Sequence, residues 1–224
     1  MLAGVLTRRL SSMGLATLDL LLPSTCAGCG RRGSPCCPEC AAAFGAPRPR
    51  GEGVYALAAY DGVARRLVLG YKERGRRDLA EPLGRLLAGA VPYLPGARPD
   101  QHGTWWLVPV PSRRSAARAR GGPHVLGLAR CCAAVLARGG RPAAVAPALE
   151  LAPGVRDAVG LDRAQRAANL EGRLLLRSAG GPPAGAPIVL LDDVVTTGAT
   201  LAAARRTLTL AGFEVAAALT LTAV

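Results

Sequence analysis

The sequence predicts an α/β protein in which helices flank a parallel sheet. Apolar runs at residues 54–60, 104–110 and 188–191 are typical of buried strands. Each run is followed along the chain by a stretch with helical periodicity or composition. Alternating strands and helices favour parallel pairing with right-handed crossovers, so the carboxyl ends of these strands should share one edge of the sheet.

Two helices are predicted between the first and second strands. The first covers residues 63–77, where apolar side chains recur at helical spacing. The second is expected to begin at Asp78, with Glu81 three residues on as its capping-box partner, and to end near Ala90. Residues 92–103 are expected to form a loop before the second strand.

The remaining elements continue the alternation to the end of the chain. A helix at residues 125–138 carries Cys131 and Cys132, which are expected to be core thiols. Two further strands are predicted at 143–151 and 172–177. The last helix is predicted at 201–208 and the last strand at 214–224.

Composition limits the kind of protein this can be. The chain has 224 residues and a formal net charge of +13, and Lys72 is its only lysine. This length allows one α/β domain with a small appendage. The basic excess fits either phosphate-binding and solvated arginines or a nucleic-acid surface, and both interpretations stay open. No apolar run approaches the roughly 18 residues of a transmembrane helix, so no membrane span is predicted.

Residues 1–45 are predicted to form an N-terminal module, joined by a proline- and glycine-rich linker at 46–53 to a domain at 54–224. Residues 1–22 fit an amphipathic helix better than a signal peptide, because charged residues interrupt the apolar stretches and no clear cleavage site follows. We therefore expect a cytoplasmic location and reduced cysteines.

Two C-x-x-C pairs predict a metal site within this module. The cysteines are Cys26 and Cys29 in the first pair and Cys37 and Cys40 in the second. Four thiolates at this spacing can close a tetrahedral Zn²⁺ site, and a site with four cysteines has a structural role because no position is open. Cys36 is an alternative to Cys37, although it breaks the two-residue spacing. Two disulfides or unengaged thiols are the other interpretations.

The main candidate ligand site lies at residues 188–200, which read I-V-L-L-D-D-V-V-T-T-G-A-T. A strand, the acidic pair Asp192 and Asp193, a loop of hydroxyl residues with a glycine, and an alanine-rich helix follow in that order. Backbone N–H groups and hydroxyls at a helix N-terminus bind anions, and carboxylates beside them suit ribose hydroxyls or Mg²⁺. The alternative is an ordinary turn with a capping residue. A P-loop is disfavoured, since no Gly-Lys-Ser/Thr follows.

A second candidate anion site follows the strand at 104–110. Residues 111–114 read P-S-R-R and residues 118–122 read R-A-R-G-G. Arginine forks suit pyrophosphate, whereas a solvated basic loop is the alternative interpretation. His124 lies just beyond, and we expect it to be a cap or surface residue rather than a catalyst.

Five motifs occur in a fixed order along the chain. These are the paired C-x-x-C, Y-K-E-R-G, L-V-P-V-P with arginines, G-L-D-R-A-Q-R-A-A-N-L, and L-L-D-D-V-V-T-T-G-A-T. This order resembles the ComF family, in an actinobacteria-like form, over nearly the whole chain. The resemblance implies a type I phosphoribosyltransferase-like parallel sheet flanked by helices, behind a zinc-ribbon-type cysteine module. It also implies an association with DNA uptake in natural competence.

The resemblance assigns roles to the motif residues toward 5-phosphoribosyl 1-pyrophosphate (PRPP). Asp192 and Asp193 would hold the ribose hydroxyls, partly through Mg²⁺. The 5′-phosphate would be cradled by Thr196, Thr197, Gly198, Ala199 and Thr200. The pyrophosphate loop would be formed by Pro111, Ser112 and Arg113. Further family-motif positions are Lys72, Gly75, Arg120, Gly121, Leu161, Arg166 and Asn169.

The chain departs from the family pattern at several positions. Ala199 stands where many members have a second glycine, which is tolerable if its φ is negative. Thr196 stands where purine-salvage members carry an aspartate, which argues against a purine-salvage enzyme. Residues 121–124 read G-G-P-H where many members read G-F-N-Q, and Ala158 replaces a glutamine. The departures at residues 121–124 and at Ala158 bear on the acceptor contacts rather than on the PRPP pocket.

The motifs and the resemblance suggest two alternative functions. The first is a Mg²⁺-dependent pentosyltransferase in which an acceptor attacks the anomeric carbon of PRPP and expels pyrophosphate, with PRPP or ribose 5-phosphate as ligand. The second is a non-catalytic adaptor or sensor in DNA uptake that binds single-stranded DNA or a helicase partner. Aromatic residues make up only 4% of the chain, which disfavours a base-stacking platform.

Overall fold

The computed structural model describes residues 24–112, 122–152 and 174–224. The predicted helix at 1–22 lies outside these residues. The same is true of six positions that the resemblance singled out: Arg113, Arg120, Gly121, Leu161, Arg166 and Asn169.

The described chain is built on a six-stranded sheet with the strand order β1-β2-β8-β7-β3-β4. Only β1 runs antiparallel to its neighbour, and every other pair in the sheet is parallel. A separate antiparallel pair is formed by β5 and β6. The strands are β1 (Arg48–Pro49), β2 (Val54–Ala59), β3 (Trp105–Pro109), β4 (Ala143–Val145), β5 (Leu149–Leu151), β6 (Leu174–Leu176), β7 (Pro187–Val195) and β8 (Glu214–Ala223).

Helices cover both faces of the sheet, which confirms the predicted α/β class. They are α1 (Pro38–Ala41), α2 (Gly62–Glu73), α3 (Ala80–Ala90), α4 (His124–Arg138) and α5 (Ala199–Leu210). One core cluster joins apolar residues of α2, α3 and α4 to Val189 and Leu191 of β7. The other joins α5 to Ile188 and Leu190 of the same strand. Strand β7 is therefore buried on both faces, as its unbroken apolar run predicted.

Two strand predictions need correction. The strand predicted to end at Leu191 continues to Val195, because β8 goes on pairing with it through Asp192 and beyond. The strand predicted at 143–151 is two strands. Pro147 has no N–H to donate to a ladder, and after it the chain leaves the main sheet to pair with β6.

The predicted capping box at Asp78 is wrong. A 3-10 turn at Arg77–Leu79 leads into α3, which begins at Ala80 without a side-chain cap. The Asp78 carboxylate instead pairs with the guanidinium of Arg76, with an N–O distance of 2.7 Å. The helix predicted at 63–77 also ends early, at Glu73, and Gly75 follows with a left-handed φ of +67°.

Helices α3 and α4 pack closely at Gly84. A Cβ built on Gly84 would lie 2.5 Å from the Cβ of Cys131 and 3.0 Å from the backbone nitrogen of Cys132. We expect Gly84→Ala to lower the free energy of unfolding by about 1–3 kcal/mol, because the added methyl must push the helices apart. Urea unfolding measures this difference.

Gly89 in the same helix is the matched control. A Cβ there meets nothing within 4 Å, so Gly89→Ala should leave stability unchanged or raise it by up to about 1 kcal/mol through helix propensity alone. Equal effects of the two substitutions would contradict the close helix contact.

Candidate ligand site and candidate metal centre

The acidic pair lies at the carboxyl edge of the parallel sheet. Strand β7 is flanked by β8 and β3. The backbone of Val110, just past β3, donates a hydrogen bond of 2.9 Å to the carbonyl of Leu191. Residues following β3 and residues near the end of β7 therefore meet at this edge, where open α/β sheets bind their ligands.

The two carboxylates have different surroundings because successive strand residues point to opposite faces. Asp192 alternates with Leu190, which packs in the cluster with α5. It is partly exposed, and its Oδ1 accepts a 2.8 Å hydrogen bond from the backbone N–H of Asp193. Asp193 is 3% exposed and contacts residues of α2 and α4.

Asp193 is the centre of a buried polar network. The ammonium of Lys72 lies 2.8 Å from Asp193 Oδ2 and 3.2 Å from Oδ1. The Nε2 atom of His124 lies 2.9 Å from Oδ2. Lys72, predicted from the resemblance as a motif position, is thus brought to the acidic pair, whereas Gly75 lies in the turn after α2.

His124 extends the network to the residues after β3. Its Nδ1 lies 3.1 Å from the hydroxyl of Ser112, and its backbone carbonyl accepts a 2.8 Å hydrogen bond from the hydroxyl of Tyr71. The expectation of a cap or surface position for His124 is wrong, since it is 9% exposed and lies at the first residue of α4. One signal could have located it: a helix that follows a parallel strand begins at the ligand-binding edge.

The charges of the acidic pair are set by these contacts. Burial alone would raise the pKa of Asp193, but the hydrogen bond from His124 and the charge of Lys72 outweigh it, and the pKa lies well below its usual range. Burial and the neighbouring charge of Asp193 raise the pKa of Asp192 well above its usual value. A cation bound at Asp192 would stabilise its ionised form.

The loop after β7 forms a turn that exposes backbone N–H groups. Gly198 has a left-handed φ of +79°, and α5 begins at the next residue. Ala199 has a negative φ, as its replacement of glycine required. Its N–H donates a 3.4 Å hydrogen bond to the hydroxyl of Thr197, and the N-cap residue Gly198 has no side chain to cap the helix. Thr196 and Thr197 are exposed, so this open helix N-terminus can receive an anion.

A partly open cavity lies at Ser112, just past the end of β3. The cavity has a volume of about 220 Å³ and lies between the end of β3, the start of α4 and the β5–β6 pair. Prolines and aliphatic side chains supply most of its wall, and Ser112, Glu150 and Arg177 supply polar groups. A small, partly apolar molecule fits a cavity of this composition.

The four cysteines of the two C-x-x-C pairs converge as predicted. The sulfurs of Cys26, Cys29, Cys37 and Cys40 lie within 4.8 Å of one another, and all four thiols are free. Four thiolates around Zn²⁺, with Zn–S bonds of about 2.3 Å, would lie about 3.8 Å apart. The Cys29 and Cys37 sulfurs are 3.6 Å apart, so the cluster fits a structural metal such as zinc.

Two details fix the membership and shape of this cluster. Cys36 is buried but lies outside the four-sulfur group, which removes it as the alternative ligand. A Cβ on Gly28 would lie 2.7 Å from the sulfur of Cys40, so the first knuckle needs glycine there. The cluster is also joined to α2, since Arg66 donates a 2.6 Å hydrogen bond to the carbonyl of Gly28.

Comparisons with known proteins add little to this geometry. No protein-family model matches the chain, and no curated protein sequence matches it. Among solved structures, it is similar to the orotate phosphoribosyltransferase from Aeropyrum pernix, with 21% identity over 83% of this chain and 78% of that one and a TM-score of 0.34. Within the three described ranges, no helix is long and apolar enough to cross a membrane.

The cysteine cluster predicts the metal content of the purified protein. We expect about one zinc per chain by elemental analysis, and loss of that zinc in Cys26→Ser or Cys40→Ser. Because metal binding supplies folding free energy to such a small module, chelation should also lower the melting temperature.

Cys36→Ser is the control for this prediction, since Cys36 is buried in the same segment but outside the cluster. It should retain full zinc content. Zinc loss in Cys36→Ser with retention in Cys40→Ser would show that the ligand set is wrong.

Proposed function

We propose that this chain is a phosphoribosyltransferase-type protein that binds PRPP or ribose 5-phosphate with Mg²⁺ at the end of β7. The observation that carries the proposal is that β7, the loop with Gly198 and α5 follow one another directly. It places a partly exposed carboxylate beside the open N-terminus of a helix at the ligand-binding edge of the sheet.

Each part of this arrangement fits one part of the ligand. The 5′-phosphate would accept hydrogen bonds from the N–H groups of residues 198–200 and from the hydroxyls of Thr196 and Thr197. The ribose hydroxyls would contact the acidic pair, with Asp192 as the group that remains partly exposed to a ligand. The pyrophosphate would lie toward Ser112 and the arginines that follow it in sequence.

The acidic pair also fits Mg²⁺. This cation prefers carboxylate and phosphate oxygens and keeps several waters. The pKa of the Asp192 carboxyl is raised by partial loss of solvent and by the nearby charge of Asp193, so a bound cation would favour its ionised form. Asp193 would act at longer range, since both of its oxygens are engaged by Lys72 and His124. When bound, Mg²⁺ would neutralise charge on the pyrophosphate.

The order of motifs supports membership of the ComF family and a role connected with DNA uptake. The cysteine cluster fits the metal module that this resemblance implies. In this proposal the chemistry is pentosyl transfer, in which an acceptor replaces pyrophosphate at the anomeric carbon of PRPP. Thr196 stands where purine-salvage members carry an aspartate, which argues against a purine-salvage enzyme.

Calorimetry with PRPP and Mg²⁺ tests the binding proposal. We expect binding by the wild-type chain and at least a tenfold weaker affinity in Asp192→Asn. Gly198→Ala should also weaken binding, because a residue with a side chain resists the φ of +79° that shapes the phosphate loop.

Gly212→Ala is the matched control for the loop. Gly212 has a φ of +83° at the opposite end of α5, and its added Cβ would meet nothing within 4 Å. Both glycine substitutions should cost similar stability, on the order of 1–2 kcal/mol, but only Gly198→Ala should change PRPP affinity. No PRPP binding by the wild-type chain would refute the proposed function.

The second candidate function is an adaptor that binds single-stranded DNA, and the net charge of +13 favours it. Such binding should weaken as salt rises, with a slope of roughly −0.7 per neutralised phosphate in a plot of log affinity against log salt. Fluorescence anisotropy with a labelled oligonucleotide measures this slope. Salt-independent affinity would exclude electrostatic binding of the strand, and a helicase partner would then be the form of this function to test.

A further inference from the structure

A second cavity lies among α2, α3 and α4, the helices on the face of the sheet opposite α5. Its volume is about 340 Å³. Its wall includes Tyr71, Arg77, Ala80, Pro123, Gly127 and Arg130. Among the described residues, none of the acidic pair, the loop after β7 or the turn after β3 lines it. We name it the Arg77–Arg130 cavity.

We propose that the Arg77–Arg130 cavity binds the phosphate monoester group of a small molecule. The site is separate from the one proposed for PRPP, and it does not depend on PRPP binding.

Two guanidinium groups from different elements face this cavity. Arg77 lies in the 3-10 turn before α3, and Arg130 lies on α4. Both side chains are exposed, so a ligand can reach them from solvent. Within the part of the chain that the structure describes, no carboxylate lines the wall. An anion would therefore meet attraction from two sides of the cavity and no opposing acidic group on its wall.

Acidic side chains close to Arg77 in sequence pair with other arginines. Asp78 lies 2.7 Å from a guanidinium nitrogen of Arg76, and Glu81 lies 2.9 Å from one of Arg85. The first turn of α4, which begins beside the cavity, contains no acidic residue. The local distribution of charge therefore favours an anionic ligand over a cationic one.

The charge and size of the cavity define the class of anion. A phosphate monoester carries a charge of about −1.5 to −2 at neutral pH, which matches two guanidinium groups, whereas a carboxylate or a phosphodiester carries only one negative charge. Each guanidinium can donate two parallel hydrogen bonds to phosphate oxygens. A volume of 340 Å³ lies within the range of small-molecule pockets and leaves room for the carbon part of an ester. Ala80, Pro123 and Gly127 offer that part an apolar wall.

The position of Tyr71 in this wall is fixed without a ligand. Tyr71 is 8% exposed, and its hydroxyl donates a 2.8 Å hydrogen bond to the backbone carbonyl of His124. A Cβ on Gly127 would lie 2.7 Å from this hydroxyl, so glycine permits the close approach of α2 and α4. Burial raises the pKa of Tyr71 to about 12, which keeps the hydroxyl neutral beside an anion. A wall that is already ordered lowers the entropic cost of binding.

Calorimetry with phenyl phosphate tests the cavity. Because the proposed 5′-phosphate loop can also take up this probe, Gly198→Ala serves as the background. There we expect Arg77→Gln and Arg130→Gln each to weaken phenyl phosphate binding by roughly tenfold or more, since each removes charge-assisted hydrogen bonds. In the wild-type chain, Arg130→Gln should remove one class of site and leave the other, which keeps the test available if the loop variant does not fold.

Arg138→Gln is the matched control. Arg138 is an exposed arginine further along α4, where it pairs with Glu81 and does not line the cavity. Its substitution removes the same charge from the same helix, so it should change phenyl phosphate affinity by less than about twofold.

Two further probes test the class of ligand. Dimethyl phosphate has a single negative charge and should bind roughly tenfold more weakly than phenyl phosphate, because one guanidinium loses its partner. Inorganic phosphate has no carbon part to contact the apolar wall and should bind roughly threefold more weakly or less tightly still.

Several results would overturn the proposal. Equal weakening in Arg138→Gln would make the binding a general effect of surface charge. Complete loss of phenyl phosphate binding in Gly198→Ala would place all of it at the loop after β7, and displacement of the probe by saturating PRPP and Mg²⁺ would assign the cavity to PRPP. Equal affinity for dimethyl phosphate or inorganic phosphate would contradict a monoester ligand. Probe binding that is lost in Arg130→Gln, in a chain without affinity for PRPP, would support this site while the proposed function fails.

Discussion

The ion pair between Lys72 and Asp193 holds the candidate site together. A buried carboxylate is unfavourable unless its charge is paired and its oxygens accept hydrogen bonds, and here both oxygens do so. The partners come from different elements, with Lys72 near the end of α2 and His124 at the start of α4. One carboxylate on β7 thus binds polar side chains from two helices. Loss of Lys72 would leave the buried carboxylate without its cation, which is far more costly than loss of a surface ion pair.

The cysteine module depends on the same helix. Buried cysteines of the cluster belong to the core cluster that contains Leu67 and Tyr71 of α2. Arg66 of α2 and Arg76 just after it donate hydrogen bonds of 2.6 and 2.7 Å to backbone carbonyls of the module. The cysteine cluster and the candidate ligand site are therefore connected through α2, which contacts the module and also carries Lys72 toward β7. A metal that orders the module would also restrain the position of this lysine.

Local features of the sequence predicted most of the fold but not the centre of the site. The spacing of the two C-x-x-C pairs specified the four sulfurs because the ligands lie close together in sequence, and the apolar runs specified the central strands. The end of β7 was missed because an acidic pair is typical of a turn, whereas pairing with β8 decides where the strand stops. The cap predicted at Asp78 is wrong because Arg76 pairs with its carboxylate. The buried position of His124 was missed because the residue contacts a carboxylate 69 residues away, and no local pattern encodes that contact.

The two neighbouring carboxylates have different surroundings because a strand alternates its side chains between two faces. Asp193 points toward α2 and α4, where the ammonium of Lys72 balances its charge and the imidazole of His124 hydrogen-bonds to it. Asp192 lies on the face of α5, the helix whose open N-terminus follows the loop after β7. A single acidic residue could not both anchor a buried network and remain accessible to a ligand, since full pairing removes its oxygens from solvent. The Asp-Asp sequence therefore allows Asp193 to hold the buried network while Asp192 remains accessible to a ligand. In the proposed function, the first carboxylate holds the network of Lys72 and His124 in place and the second would hold the ribose and Mg²⁺.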